Sequence, residues 1–318
     1  MSVYPDGKTR PRQSEDTMQL GMIGLGKMGA NMAERLQRGG HDVVGFDPKA
    51  EARARIEQAG SRSADSLEAL VGLLETPRVV WMMVPAGSIT EGTVDALRKL
   101  LAHGDTIIDG GNSNYKDSVR RAGVCTKDGI EYVDCGTSGG VWGLAEGYSM
   151  MIGGDEAVVE RLRPIFETLA PAADRGWGRV GPPGSGHYTK MVHNGIEYGL
   201  MQAYAEGFSI LKHKQEFGLD LHQVAEIWRY GSVVRSWLLD LTSDALHGNP
   251  DMDGIASYVP DSGEGRWTVA EAIDLDVPAP VISLALISRL RSRDDDSFAD
   301  KLLSAMRNEF GGHAMKKE

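Results

Sequence analysis

The segment Gly24-Leu25-Gly26-Lys27-Met28-Gly29 restricts the fold more than any other. It follows a short apolar run, Leu20 to Ile23, and opens a helical pattern, so its three glycines lie at a strand-to-helix turn. Further apolar runs closed by turn residues come at Asp42 to Phe46, Val79 to Val84, Thr106 to Asp109 and Ile130 to Asp134, with helical patterns between them. That alternation requires a parallel sheet joined by crossover helices. Another strand is expected at Ser149 to Gly153, followed by a helix from Asp155 to about Leu169. Around Trp177 to Gly186 the chain turns into Gly and Pro, and beyond it long helical patterns run to the C-terminus. At ~150 residues per domain, two domains are expected. The expected architecture is α/β: a Rossmann-type doubly wound sheet over residues 18–183, then an all-α domain over residues 184–318.

A turn of this kind lets backbone N–H groups approach a pyrophosphate at a helix N-terminus, so Gly24, Leu25, Gly26, Lys27, Met28 and Gly29 are the candidate dinucleotide cradle. The second strand ends at Asp47, eighteen residues after Gly29. A carboxylate there suits the ribose hydroxyls of NAD and repels the extra phosphate of NADP. Ordinary turn usage and a strand-end cap would explain either feature alone, but not their spacing. Two more loops follow strands at the cofactor edge, Val84-Pro85-Ala86-Gly87 and Asp109-Gly110-Gly111-Asn112-Ser113, adding Val84, Pro85, Ala86 and Asn112. A third glycine cluster, Gly136-Thr137-Ser138-Gly139-Gly140, is read as a loop after the fifth strand, able to receive a carboxylate or sugar hydroxyls.

Composition limits the partners. The 45 acidic against 34 basic residues leave a net charge of −11, which argues against a nucleic-acid or anionic-membrane partner. No apolar run reaches the ~18 to 20 residues that span a bilayer. Cys125 and Cys135 make neither a disulfide framework nor a metal spacing, so a reducing cytoplasm and no metal are expected. Residues 1–17 are polar, contain Pro5 and Pro11, and read as a disordered leader.

In the second half, Lys190, His193, Asn194, Glu197 and Tyr198 fall at offsets 0, 3, 4, 7 and 8, one face of a helix. A solvated face with helical ion pairs is one account of such residues. The apolar residues among them, Met191, Val192, Ile196, Leu200 and Met201, point instead to a largely buried helix whose polar stripe holds something polar. Lys190 and Glu197 stand roughly 10 Å apart along the axis, room for a small sugar acid.

These residues resemble a known family. Ile107-Ile108-Asp109-Gly110-Gly111-Asn112-Ser113, Ser138-Gly139-Gly140, the Lys190 to Tyr198 stripe, Gly265-Arg266-Trp267-Thr268 and Arg307-Asn308-Glu309-Phe310-Gly311-Gly312-His313 are similar to the decarboxylating 6-phosphogluconate dehydrogenases, β-hydroxyacid dehydrogenases of the pentose phosphate pathway. The resemblance implies that Lys190 is general base and later general acid, and that Glu197 protonates the product carbon. It implies sugar-acid contacts from Asn112, Ser138, Gly139, Gly140, His193 and Asn194, and phosphate contacts from Tyr198 and Arg289. Arg307 and His313 match residues that reach a neighbouring subunit's site, so a homo-oligomer, dimer or tetramer, is expected. Both are expected in a Gly-rich tail beyond the last helix.

The chain departs from the family's pattern in three places. Phe46-Asp47-Pro48 replaces the Asn-Arg-Thr of NADP-dependent members, and Ser262 and Glu264 stand where many members carry Lys and Thr. The chain also stops short of long-form members while keeping their terminal motif, as a short form with one helical unit would.

The chemistry explains the residue types. Oxidising the C3 hydroxyl of 6-phosphogluconate needs a neutral amine to take its proton, a state that burial favours for lysine. The 3-keto acid then loses carbon dioxide without a metal if the protonated amine polarises the ketone, and the enediol needs a proton at C1. A sibling that handles a 3-hydroxy acid without decarboxylation would share the glycine turn and the lysine, but would lack the Glu197-Tyr198 pair. A silent NAD-binding sensor or scaffold could dispense with Lys190 or Glu197, and this chain keeps both.

Overall fold

The computed structural model describes residues 17–311 together with Ala314 and Lys316, so His313 and all of the expected leader but Thr17 lie outside the described residues. The chain divides between His193 and Asn194 into two compact units.

The first unit alternates strand and helix: β1 (Gln19–Ile23), α1 (Lys27–Arg38), β2 (Asp42–Phe46), α2 (Ala50–Gln58), β3 (Arg62–Ala64), α3 (Leu67–Gly72), β4 (Val79–Met82), α4 (Ser88–Leu100), β5 (Thr106–Asp109) and α5 (Tyr115–Lys127). There follow β6 (Glu131–Ser138), α6 (Gly143–Glu146), β7 (Ser149–Gly153), α7 (Glu156–Arg161), α8 (Arg163–Leu169) and β8 (Trp177–Gly181). The strands form one sheet in the order β3-β2-β1-β4-β5-β6-β7-β8. All pairings are parallel except β6 with β7. The order turns back between β1 and β4, the switch point at which open α/β sheets bind ligands beyond their strand ends.

Neighbouring strand residues feed opposite faces of this sheet. Val79 and Trp81 join one apolar cluster with Leu20, Leu36 and Phe166, while Val80 and Met82 join another with Val44, Leu97 and Ile107. Burial on both faces is why these strands read as continuous apolar runs rather than as alternation.

Several expectations change here. β3 and β8 were not anticipated, because three residues containing Arg62 and Ser63, and the stretch Trp177-Gly178-Arg179-Val180-Gly181, carry no apolar run. β8 is held by pairing with β7 and by Trp177 stacked on Phe166 at 5.7 Å. β6 runs four residues past the expected end, so Gly136, Thr137 and Ser138 are strand, paired antiparallel with Met151, Met150 and Ser149. The helix expected from Asp155 to Leu169 is broken into α7 and α8, since Pro164 in the first turn of α8 has no N–H to continue α7.

Helix α9 (Ser185–His213) enters the second unit, which continues with α10 (Leu221–Arg229), α11 (Trp237–Gly248), α12 (Glu264–Asp274), α13 (Pro280–Arg291) and α14 (Phe298–Gly311). Arg307 lies inside α14 and not in a tail beyond the last helix, because the apolar spacing of Phe298, Leu302, Leu303 and Met306 carries the helix through it. Among the described residues no helix is long and apolar enough to cross a membrane.

Candidate active site

The structure requires glycine at two positions of the first turn, Gly24 and Gly29, and leaves the third open. Gly24 sits at φ +88°, and a Cβ there would collide with the carbonyl of Met83. Gly29 packs directly on the carbonyl of Gly24. Gly26 has ordinary backbone angles and, among the described residues, open space where its Cβ would be. That open space leaves room for a group to approach the backbone. Gly26 is also the N-cap of α1, which has no side-chain cap and no acidic residue in its first turn. Amide donors and a positive helix end whose first turn carries no acidic residue fit a pyrophosphate.

Asp47 is half-buried beside this turn, and its carboxylate accepts from Leu25 N at 2.9 Å and from Lys49 N at 2.9 Å. It therefore holds the glycine turn in shape, and a carboxylate has lone pairs for ribose hydroxyls besides. Val84 is half-buried in the loop after β4, while Pro85 and Ala86 are exposed; the Pro85 carbonyl is tied to Thr90 Oγ1 at 2.9 Å.

Asn112 occupies the left-handed region at φ +50°, which Asn tolerates better than most residues. Its side-chain amide clamps the backbone of Thr137, accepting from Thr137 N at 3.0 Å and donating to Thr137 O at 3.3 Å. Ser138 and Gly139 are half-buried and Gly140 is exposed, with Gly139 and Gly140 at φ +134° and +51°. Beneath these loops lies a network that sequence reasoning missed. The buried Asp109 carboxylate accepts from Ser113 Oγ and Tyr132 OH at 2.8 and 2.9 Å, and Arg121 bridges it to Glu91. Burial is what marks it, since Asp and Arg are almost never fully buried unless paired, and Asp109 and Arg121 are 0% and 1% exposed.

The stripe is continuous along α9, but Lys190 and His193 belong to the first unit, and Asn194, Glu197 and Tyr198 to the second. Lys190 is 5% exposed, with Nζ 3.3 Å from His193 Nδ1. The burial pattern inverts the usual amphipathic one. Lys190 and Tyr198 are buried and His193, Asn194 and Glu197 half-buried, while Ile196 and Leu200, expected inside, are 51% and 46% exposed. A solvated polar face is not what the helix presents.

In the second unit, the Asn194 amide donates to the buried carboxylate of Glu264, which also accepts from Ser262 Oγ at 3.3 Å. Arg289 lies over the Tyr198 ring at 3.5 Å and donates to the Pro260 carbonyl at 3.0 Å. Tyr198 OH accepts from Ser262 N at 3.3 Å. The two departures from the family's pattern, Ser262 and Glu264, are thus bonded to the stripe itself. Arg307 is exposed on α14. Among the described residues no cluster of His, Cys, Asp or Glu could hold a metal ion.

Sheet order, glycine turn and buried lysine together define an oxidoreductase of the nicotinamide-dinucleotide class. Residues 19–178 match the NAD binding domain of 6-phosphogluconate dehydrogenase, and residues 186–316 match that enzyme's C-terminal domain. The NAD(+)-dependent, decarboxylating 6-phosphogluconate dehydrogenase of Haloferax volcanii is 44% identical over 302 residues, 95% of this chain and 99% of that one. The NADP(+)-dependent, decarboxylating enzyme of Bacillus subtilis is 37% identical over 86% of this chain and 61% of its own. In the solved structures, Plasmodium falciparum 6-phosphogluconate dehydrogenase superposes with a TM-score of 0.81 at 29% identity, covering 94% of this chain and 66% of that one. The chain belongs to the 6-phosphogluconate dehydrogenase family, and its first unit is an NAD-binding domain.

Proposed function

We propose that the protein oxidatively decarboxylates 6-phospho-D-gluconate to D-ribulose 5-phosphate and carbon dioxide, with NAD preferred over NADP as acceptor, in the pentose phosphate pathway. The observation that carries the reading is a buried lysine two turns before a half-buried glutamate on one helix. Bound NAD supplies the hydride acceptor. Lys190 takes the C3 hydroxyl proton, then as an ammonium polarises the C3 ketone while carbon dioxide departs. Glu197 delivers the proton to C1 of the enediol. Asn112, Ser138, Gly139, Gly140, His193 and Asn194 orient the sugar acid; Tyr198 and Arg289 hold its phosphate. Gly24 to Gly29, Val84, Pro85, Ala86, Asn112 and Asp47 hold the cofactor, Asp47 setting its choice by repelling a 2′-phosphate. Arg307 and His313 complete the site of a neighbouring subunit in a homo-oligomer, and the enzyme works in the cytoplasm.

The test is to mix the protein with NAD and 6-phosphogluconate and follow NADH absorbance and carbon dioxide together. Equal yields of both are expected. NADH without carbon dioxide would make it a non-decarboxylating 3-hydroxyacid dehydrogenase, and tight NAD binding without NADH a sensor or scaffold. Running gluconate alongside measures whether Ser262 and Glu264 have loosened the demand for the phosphate.

A further inference from the structure

We propose that Asp134 is a positioning residue for Lys190: a buried carboxylate on β6 that caps the amino end of α9 and so sets where the reacting amine lies against the sheet. The inference rests on the reading of Lys190 as the base.

Ser185, first residue of α9, is a usual capping type, yet its Oγ is buried with no hydrogen-bond partner among the described residues. Asp134 takes that place from a distant strand. One of its oxygens accepts from Gly184 N at 2.5 Å and the other from His187 N at 2.7 Å. Asp134 is 0% exposed, and a charged acceptor on amides at a helix start is among the stronger hydrogen bonds. Burial raises its pKa, while His187 and the two backbone amides pull the other way. His187 is 1% exposed, with Nδ1 2.7 Å from Ser118 Oγ on α5 and 4.0 Å from Asp134 Oδ2. The first turn of α9 is therefore pinned from α5 and from β6 together.

The contact with β6 leaves no slack. A Cβ on Gly186 would meet the carbonyls of Asp134 and Met151, both at 2.5 Å, and one on Gly136 would collide with Cβ of Lys190. Lys190 lies one turn, ~5 Å, beyond the capped residues, so a shift of that turn is carried to the amine. The same strand runs on to Thr137, clamped by Asn112, and to Ser138 before Gly139 and Gly140. Asp134 thus ties the base to the strand that ends at the expected substrate loop. Misplacing a reacting group by an ångström can cost ~100-fold in rate while binding survives.

Asp134→Asn in the full chain tests this. The amide keeps the volume but points N–H donors at one of two backbone N–H groups. NAD binding and the KM for 6-phosphogluconate should stay within about threefold, while kcat per folded chain falls about 10- to 100-fold. The deuterium isotope effect with 3-deuterated 6-phosphogluconate should rise, because the C3 step becomes limiting. A lower Tm with kcat per folded chain and isotope effect unchanged would mean a purely structural cap and overturn the proposal. Should Asp134→Asn not fold, Gly136→Ala, which displaces Lys190 from the other side, is read by the same three measurements; unchanged kcat, or failure to fold again, overturns it. Lys190→Ala separates the two levels. If it keeps activity, the reading of Lys190 fails and takes the proposal with it; if it is inactive while Asp134→Asn is fully active, only the positioning role fails.

Discussion

The two units solve the problem of burial differently. The first packs apolar side chains on both faces of its sheet, with Trp81, Leu36 and Phe166 wholly inside, and meets backbone with backbone at its glycines. Among its described residues the second has two small clusters, Phe208 with Ala225, Leu239 and Leu246, and Tyr198 with Ala285 and Leu286. Around them Phe298, Ile210, Ile273 and Val233 are 71% to 99% exposed. Its site residues are held by charge and stacking, through Glu264 on Asn194 and Arg289 over Tyr198. A sheet with helices on both faces closes its own core, whereas single helices with apolar faces left in view gain from a further surface to cover them. The first unit should behave as complete in itself, and the second as one that works in company.

The largest effect expected bears on that company. Lys190→Ala should lower NADH formation by about 1,000-fold, since no other residue of the stripe is an amine. Arg307→Ala should also be inactive alone. Unfolded together and reassembled, the two should regain activity if α14 serves a neighbour, because a mixed pair holds one site free of both defects. No recovery would mean that each helical unit completes only its own site.

Next in size is the contrast of cores. Trp81→Ala should cost about 3–5 kcal/mol in denaturant unfolding, the usual cost of emptying a packed aromatic site. Phe298→Ala, at 76% exposure, should cost under about 0.5 kcal/mol in the unassociated chain. A larger cost that shrinks on dilution would show that this face of α14 is covered by another copy.

A smaller effect belongs to the cofactor side. Asp47→Asn with Pro48→Arg should move the ratio of kcat/KM for NAD and NADP by about tenfold toward NADP, the equivalent of one charge contact. Equal use of both cofactors by the unaltered chain would sink the role given to Asp47.

The smallest effect compares one carboxylate from each unit. Glu91 is held at about 2 by hydrogen bonds from Arg120 and Arg121, and Asp261 at about 2 by Arg266 and Arg293, against ordinary values of 4.5 and 3.8. A depressed carboxylate adds stability that is fully present above its ordinary pKa and is lost as the pH falls toward the folded value. Tm should therefore decline between about pH 5 and 2, and Glu91→Gln or Asp261→Asn should each flatten part of that decline. Glu91 is a third exposed, so solvent screening keeps its share modest.

The strands of the first unit were legible because burial on both faces leaves uninterrupted apolar runs. Where pairing alone makes a strand, as at β3 and β8, local composition carried no mark. The glycine turn and Asp47 were legible because local backbone geometry demands their spacing. The helical stripe was visible as a stripe, and burial of Lys190 agrees with the sequence reading, but Ile196 and Leu200, whose apolar character pointed inward, lie exposed.

By itself, then, the sequence determined what depends on neighbours along the chain: the order of the apolar strands and the helical patterns between them, the glycine turn at Gly24 to Gly29, and the spacing of Lys190 and Glu197. Only the tertiary structure decided which carboxylates serve as scaffolding. Asp109 gathers Ser113 from the loop after its own strand, Tyr132 from β6 and Arg121 from α5, and Asp134 caps a helix 50 residues away. A carboxylate in a strand looks the same in sequence whether it ends at water or at a buried amide. What distinguishes the two is the cost of burying its charge, which long-range hydrogen bonds offset and local pattern cannot reveal.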